Sequence, residues 1–314
     1  MPSRKARWLP AARMFALTVV AIAAPWSAGA QKLPTPESPN FRADSTLVLV
    51  PVAVMDRRGA MVNGLASDAF TLTEDGVRQE IRAFSQEDVP VSMGIVFDLS
   101  GSMKGVLGAA KESLRALMKD ANPADEAFLN TVSTRPRRYA GFTHEFDEVL
   151  GRIAFENAGG DTALIDTIYD SLHELRSGIH ARKALLVISD GVDNHSRYSR
   201  QELLDRALES DAQIYTIAIY NAPITSKPMS VMEEKRGLLF LDELAARTGG
   251  IGFVVRGQTD IARAAASIGR TLRNQYTIGY APRVDGRSGQ WRRISVKVAG
   301  SGMKAYARTG YRLE

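Results

Sequence analysis

The residues with chemical potential in this chain are oxygen donors. Asp98, Ser100 and Ser102 alternate in Asp98-Leu99-Ser100-Gly101-Ser102-Met103, Thr162 closes Gly159-Gly160-Asp161-Thr162, and Asp190 sits in Ser189-Asp190-Gly191. The set offers carboxylates and hydroxyls, with no imidazole or thiolate. Hard cations suit such donors, Mg²⁺ as the leading expectation and Mn²⁺ or Ca²⁺ in its place, whereas zinc and copper do not. Two or three carboxylates among neutral hydroxyls would leave one divalent cation under-neutralised. It would still attract a carboxylate from outside, an Asp or Glu presented by another protein. Each loop also has a plainer reading, since Asp and Ser are favoured helix caps and Asp-Gly is a common turn. Capping accounts for one loop but not for three in order.

Other chemistries lack their parts. His144-Glu145-Phe146-Asp147-Glu148 begins like a zinc-protease helix, but Glu148 stands where the second histidine belongs. No Gly-x-Ser-x-Gly elbow and no Gly-x-x-x-x-Gly-Lys-Ser/Thr loop occurs. His195, in Asp193-Asn194-His195-Ser196, reads as a surface residue near the site's edge, and Arg135 to Arg138 as a solvated hairpin. No paired general acid and base is evident at the three loops, so enzymatic activity is not expected. The alternatives are a metal-dependent hydrolase with Asp98 as nucleophile or base, and a structural envelope protein with a vestigial site.

Loops so far apart in sequence need a frame that gathers them. From residue 91 short apolar runs alternate with helical segments. The runs 91–97, 127–132, 184–189, 213–220 and 251–255 read as strands. The segments 105–120, 162–176, 199–210, 238–248 and 260–274 read as helices. In the first of these Val106, Leu107, Ala110, Leu114, Leu117 and Met118 share a face at three-to-four spacing. Runs that are apolar throughout suit strands buried on both faces. The expected fold is α/β over residues 90–273, doubly wound, with a mainly parallel sheet flanked by helices. Ligands in such sheets sit beyond the carboxyl ends of the strands, where Asp98 and Asp190 fall. Residues 221–236, with two prolines and mixed charge, read as a loop.

Both flanks have β character. Residues 44–89 hold a strand from Thr46 to Met55 and a hairpin from Phe70 to Phe84, turning at Asp75-Gly76. Residues 274–314 hold strands at Gln275–Tyr280, Arg293–Ala299 and Lys304–Thr309, with Gly300-Ser301-Gly302 turning between the last two. The economical packing is one small β-sandwich made from both flanks, with the α/β domain inserted.

Asp98-x-Ser100-x-Ser102, with Thr162 and Asp190 following in order and context, resembles the metal-ion-dependent adhesion site of von Willebrand factor type A domains. The resemblance covers about residues 91–273. It extends loosely into the flanks, which look like bacterial exported proteins related to that family. It implies that Ser100, Ser102 and Thr162 would coordinate the cation directly. Asp98 and Asp190 would act mainly through bound waters and orient the serines. Asp161 is outside the matched positions and would add negative charge. The implied function is metal-dependent protein binding, in adhesion or complex assembly.

The start of the chain bears on location. Arg4 to Arg13 is basic, Met14 to Ala24 is apolar, and Ala28-Gly29-Ala30 fits a cleavage site that leaves Gln31 first. Residues 1–30 therefore read as a signal peptide and 31–43 as an exposed leader. An apolar run of eleven residues falls short of the ~20 that span a bilayer. The expected product is a periplasmic or secreted protein that does not span the membrane. The pI near 9.4 suggests nucleic acid at first. Without the four basic residues of 1–30, however, 36 basic face 35 acidic residues, and no nucleic-acid partner is expected. The absence of cysteine excludes disulfides, thiolate metal sites and thiol catalysis.

Overall fold

Where the sequence stays apolar for seven or eight residues, the chain forms strands covered on both sides. The computed structural model describes residues 47–119, 121–134, 136–220, 228–282 and 289–313. Its central strand, β5 (Val91–Asp98), is buried along its whole length. It follows four strands of the N-terminal flank, β1 (Val48–Met55), β2 (Phe70–Glu74), β3 (Val77–Arg78) and β4 (Ala83–Ser85). Beyond it come β6 (Glu126–Val132), β7 (Arg137–Thr143), β8 (Arg182–Ser189), β9 (Gln213–Ile219) and β10 (Gly252–Val255). The sheet order is β10-β9-β8-β5-β6-β7, parallel except for β7 at one edge.

Side-chain alternation divides the core. Met93, Ile95 and Phe97 of β5 face a cluster that includes α1 (Leu107–Lys119), α2 (Phe146–Ala154) and α6 (Gln258–Arg273). Val96, with Leu185 and Val187 of β8, faces α3 (Leu164–Glu174), α4 (Arg200–Glu209) and α5 (Pro228–Thr248). Burying two opposite faces explains why these strands read as unbroken apolar runs. The chain leaves β5 toward β6 and later returns to β8 on β5's other side. The strand order therefore reverses between β5 and β8, and a crevice opens there at the carboxyl ends.

The flanks pair with each other. Strands β11 (Tyr276–Tyr280), β12 (Trp291–Val298), β13 (Lys304–Tyr306) and β14 (Gly310–Arg312) follow α6. They complete two antiparallel sheets, ordered β13-β1-β11-β4 and β14-β12-β2-β3. One cluster, including Val50, Val52, Phe70, Leu72, Tyr276 and Ile294, fills the space between the sheets. The hydroxyls of Tyr280 and Tyr311 both donate to buried Glu74, at 2.6 and 3.0 Å.

Three local expectations change. Residues 228–236 are helix, not loop. Pro228 opens α5, where its missing N–H leaves nothing unpaired; residues 221–227 lie outside the described residues. The hairpin at Asp75-Gly76 ends by Arg78, because Ala83–Ser85 crosses to the other sheet and pairs with β11. Lys304–Thr309 is not one strand: β13 pairs with β1, and the chain turns before β14 pairs with β12. The basic stretch read as a solvated hairpin is one, since β7 returns antiparallel to β6 with Thr131 opposite Arg137, and Arg137 and Arg138 are exposed; the nearby α2 has no counterpart in the sequence reading. The signal segment and leader also lie outside the described residues. Among those described, no helix is long and apolar enough to cross a membrane.

Candidate functional site

The reversal between β5 and β8 sets two carboxylates side by side. Asp98 is the last residue of β5, and Asp190 follows Ser189, the last of β8. Both carboxylates are almost fully shielded from solvent, with 0% and 2% exposure. The Ser100 N–H donates to Asp98 Oδ1 at 2.8 Å, and the Ser189 hydroxyl donates to Asp98 Oδ2 at 2.5 Å. Ser189 Oγ in turn accepts the Gly191 N–H at 2.9 Å. Ser100 and Ser102 bring their hydroxyls within 3.1 Å of each other, and Ser102 also hydrogen-bonds to Asp190. A continuous polar chain therefore runs from Ser189 through Asp98, Ser100 and Ser102 to Asp190.

A short 3-10 turn, Gly101–Gly105, carries Ser102 out of the strand end while Ser100 keeps an extended backbone. Buried Met103 anchors that turn, leaving Ser102 exposed and Ser100 buried.

Thr162 enters from a third loop, just before α3. It is tied to the loop after Asp190: its N–H donates to Asn194 Oδ1 at 2.9 Å, and its carbonyl accepts from the N–H groups of Asn194 and His195. The same loop caps α3. Asp193 Oδ2 accepts the Ile165 N–H at 2.8 Å, and Ser196 Oγ accepts that of Asp166 at 3.0 Å. Asp166 answers by accepting from the N–H groups of Arg197 and Tyr198. Asp161, beside Thr162, is exposed.

The electrostatics of the carboxylate pair are unfavourable as they stand. Burial pushes Asp98 up to about 6, helped by repulsion from Asp190 and opposed by its serine hydrogen bonds. Burial raises Asp190 as well, against hydrogen bonds from Ser102 and Val192. Among the described residues no cationic side chain contributes at either group. Two acids withdrawn from water without a counter-charge fit a cation that supplies it. Among the described residues no cluster of three or more His, Cys, Asp or Glu could hold a metal. A cation here would therefore depend on two carboxylates together with the hydroxyls of Ser100, Ser102 and Thr162, a donor set suited to hard ions.

The sequence reading missed the residues that hold these donors. Ser189 is 0% exposed and bridges Asp98 to the loop of Asp190. Asp193, Asn194 and Ser196 position Thr162 and α3; their signal was the density of capping types just after Asp190. Gly237, inside α5, packs its backbone against Gly191. His144 Nδ1 lies 2.8 Å from the Asp125 carbonyl, and His195 is exposed, with its backbone N–H donating to the Thr162 carbonyl.

Ser189→Ala should expose the weakness of the pair. It removes the donor to Asp98 and the acceptor for Gly191, both buried. A loss of about 1–3 kcal/mol in stability is expected, read by urea denaturation of the metal-free protein.

No protein-family profile and no curated protein matches the chain. Solved structures do. A von Willebrand factor type A protein from Catenulispora acidiphila superposes with a TM-score of 0.50 at 12% identity, over 86% of this chain and 75% of that one. The pilus adhesin SpaC from Lactobacillus rhamnosus GG, in its open conformation, gives 0.49 at 8% identity, over 80% of this chain and 48% of that one. The vWF domain of the type V pili tip protein Mfa5 from Porphyromonas gingivalis gives 0.45 at 12% identity, over 59% and 95%. The fold is thus that of a bacterial von Willebrand factor type A-like protein, with antiparallel sheets added to the α/β part.

Proposed function

We propose that this protein is an exported binding module in which one divalent cation, Mg²⁺ before Mn²⁺ or Ca²⁺, bridges to an Asp or Glu side chain of a partner protein. Asp98, Ser100, Ser102, Thr162 and Asp190 would hold the cation. The observation that carries this reading is the buried Asp98–Asp190 pair, which has no cationic neighbour among the described residues and is lined by hydroxyls. The cation would supply the missing positive charge and, being only partly neutralised, an affinity for one more carboxylate. The chain's own residues do the positioning: Ser189 and the Ser100 N–H fix the Asp98 carboxylate, and Asn194 fixes the backbone of Thr162.

Binding rather than catalysis is proposed because, among the described residues, the groups that contact the Asp98 and Asp190 carboxylates are serine hydroxyls and backbone N–H groups, with no paired general acid and base. The competing hydrolase reading makes a distinct claim. Phosphoester, peptide or glycoside turnover with Mg²⁺ or Mn²⁺, abolished in Asp98→Ala, would favour it.

Calorimetric titration of the cation into single variants tests the donor set. Ser100→Ala and Thr162→Ala should each weaken binding while leaving the fold intact, because each removes one neutral oxygen. Asp98→Ala should weaken it by about one to two orders of magnitude, since it removes charge and the group that orients the serines. Equal affinity in all three variants would overturn the assignment. Export is tested separately: the secreted or periplasmic form should begin at Gln31, and an intact Met1 form held in the membrane would contradict it.

A further inference from the structure

The central sheet ends on β10, and among the described residues no strand covers its outer edge. The carbonyls of Ile251 and Val255 accept from Thr216 and Tyr220, so these residues turn toward β9. By the alternation of a strand, Gly252 and Val254 turn their N–H and C=O groups the other way. The edge therefore presents donors and acceptors at the spacing of a further strand.

The two sides of this edge differ in character. Phe253 and Val255 pack into the cluster that includes α6, so Val254 faces the α5 side. Asp242 of α5 lies against Gly252. Because α5 runs antiparallel to β10, its preceding turn, with Leu239, lies toward Val254. Leu239 is 70% exposed and Val254 is 56% exposed. On the α6 side the groove along Gly252–Val255 is lined by Arg58, Arg263 and Arg270. One carboxylate, Asp260, also lines it and pairs with Arg263 at 3.0 Å. Edge strands are often guarded by charge against unwanted pairing. A guard alone does not explain two large apolar side chains left open on the opposite side.

We propose that the β10 edge binds an extended segment of a partner protein by strand addition, and that this segment alternates apolar and acidic residues. Alternation follows from the geometry, since successive side chains of an added strand point to opposite faces. One set would cover Val254 and Leu239, and the other would meet Arg58, Arg263 and Arg270. This surface is separate from the Asp98–Asp190 site and needs no cation.

The probe is a fluorescein-labelled peptide of alternating valine and glutamate, titrated into the purified full chain and followed by anisotropy. Two controls carry lysine in place of glutamate, or the same residues in blocks. Val254→Pro removes the outward N–H while leaving the bonds to β9 in place, as proline on an edge strand can. A second variant combines Arg58→Glu, Arg263→Glu and Arg270→Glu at exposed positions. Each variant should weaken binding at least about tenfold, both control peptides should bind at least about tenfold more weakly, and EDTA should change nothing. The proposal fails if the alternating peptide does not bind at millimolar concentration, or if either control binds equally well. It fails equally if the folded variants bind like the parent, or if EDTA abolishes binding. Self-association that Val254→Pro removes, without peptide binding, would assign the edge to a second copy and overturn the acidic partner. Should Val254→Pro not fold, the arginine variant decides.

Discussion

Gly237→Ala is expected to destabilise the protein by about 3 kcal/mol or more, although alanine is the better helix former. Gly237 lies inside α5, where exchange to alanine ordinarily gains up to ~1 kcal/mol. Here an added Cβ would stand 2.1 Å from the Gly191 carbonyl oxygen and 2.4 Å from its carbon. Neither atom belongs to a side chain that could swing away. Gly191 itself has φ 78°, so its backbone is already committed to a conformation that other residues resist. The helix must move off the strand end or the loop of Asp190 must shift, and overpacking of this kind typically costs about 1–3 kcal/mol even between side chains. The midpoint of thermal unfolding should fall by roughly 6–12 °C. Gly151→Ala in α2 is the control: an added Cβ meets nothing within 4 Å, so a small stabilisation is expected. If both variants gain stability, the close approach of α5 to the site is wrong. A cation titration of Gly237→Ala, if it folds, would show whether the displaced Asp190 loop still binds.

The second large effect concerns pH without metal. Asp98 rises from an ordinary 3.8 to about 6 because burial and Asp190 oppose its charge. A raised carboxyl favours the folded state while protonated. The metal-free protein should hold this contribution fully below about pH 4 and lose it as pH rises through about 6. For a carboxyl with 0% exposure, which water does not screen, this shift corresponds to about 3 kcal/mol. Asp98→Asn removes the titration but leaves the Ser189 hydroxyl without its carboxylate acceptor, a loss of about 1 kcal/mol. The variant should therefore be more stable than the parent by about 1–2 kcal/mol at pH 8 in EDTA, and no more stable at pH 4. Urea denaturation at the two pH values reads the difference. Added Mg²⁺ should reverse the order at pH 8, because only the parent keeps the charge that the cation uses. An unchanged order in Mg²⁺ would mean that Asp98 does not serve the ion.

Much of this arrangement was legible in the sequence, for a physical reason. Strands buried on both faces must be apolar throughout, so Val91 to Phe97 and Ala184 to Ser189 announced themselves, and polar residues at their ends stood out. Asp98, Ser100, Ser102 and Asp190 are joined in the structure by a chain of hydrogen bonds, and Thr162 is attached through Asn194. What stayed hidden depended on tertiary partners. The hairpin that opens β7 was legible, but the run of this edge strand to Thr143 was not, because its pairing to β6 rather than its composition makes it a strand. The start of α5 was masked by proline, which reads as a breaker until its place in the first turn is known. The role of Gly237 is invisible without Gly191 beside it. The strand exchange between the two flank sheets likewise needed the register, since Ala83–Ser85 continues a hairpin pattern while belonging to another sheet. Ser189 could have been suspected from its place next to Asp190, but its bond to Asp98 joins residues 91 positions apart.

Isothermal titration of Mg²⁺, Mn²⁺ and Ca²⁺ into the metal-free protein at about pH 7.5, with partner capture followed in the same samples before and after EDTA, tests the cation-bridged site most directly. A single cation per chain is expected, bound at millimolar concentration or below, with affinity and capture falling together in Asp98→Ala. If the parent protein binds no divalent ion at millimolar concentration, or captures its partner equally well in EDTA, then the buried Asp98–Asp190 pair is not a cation-bridged binding site.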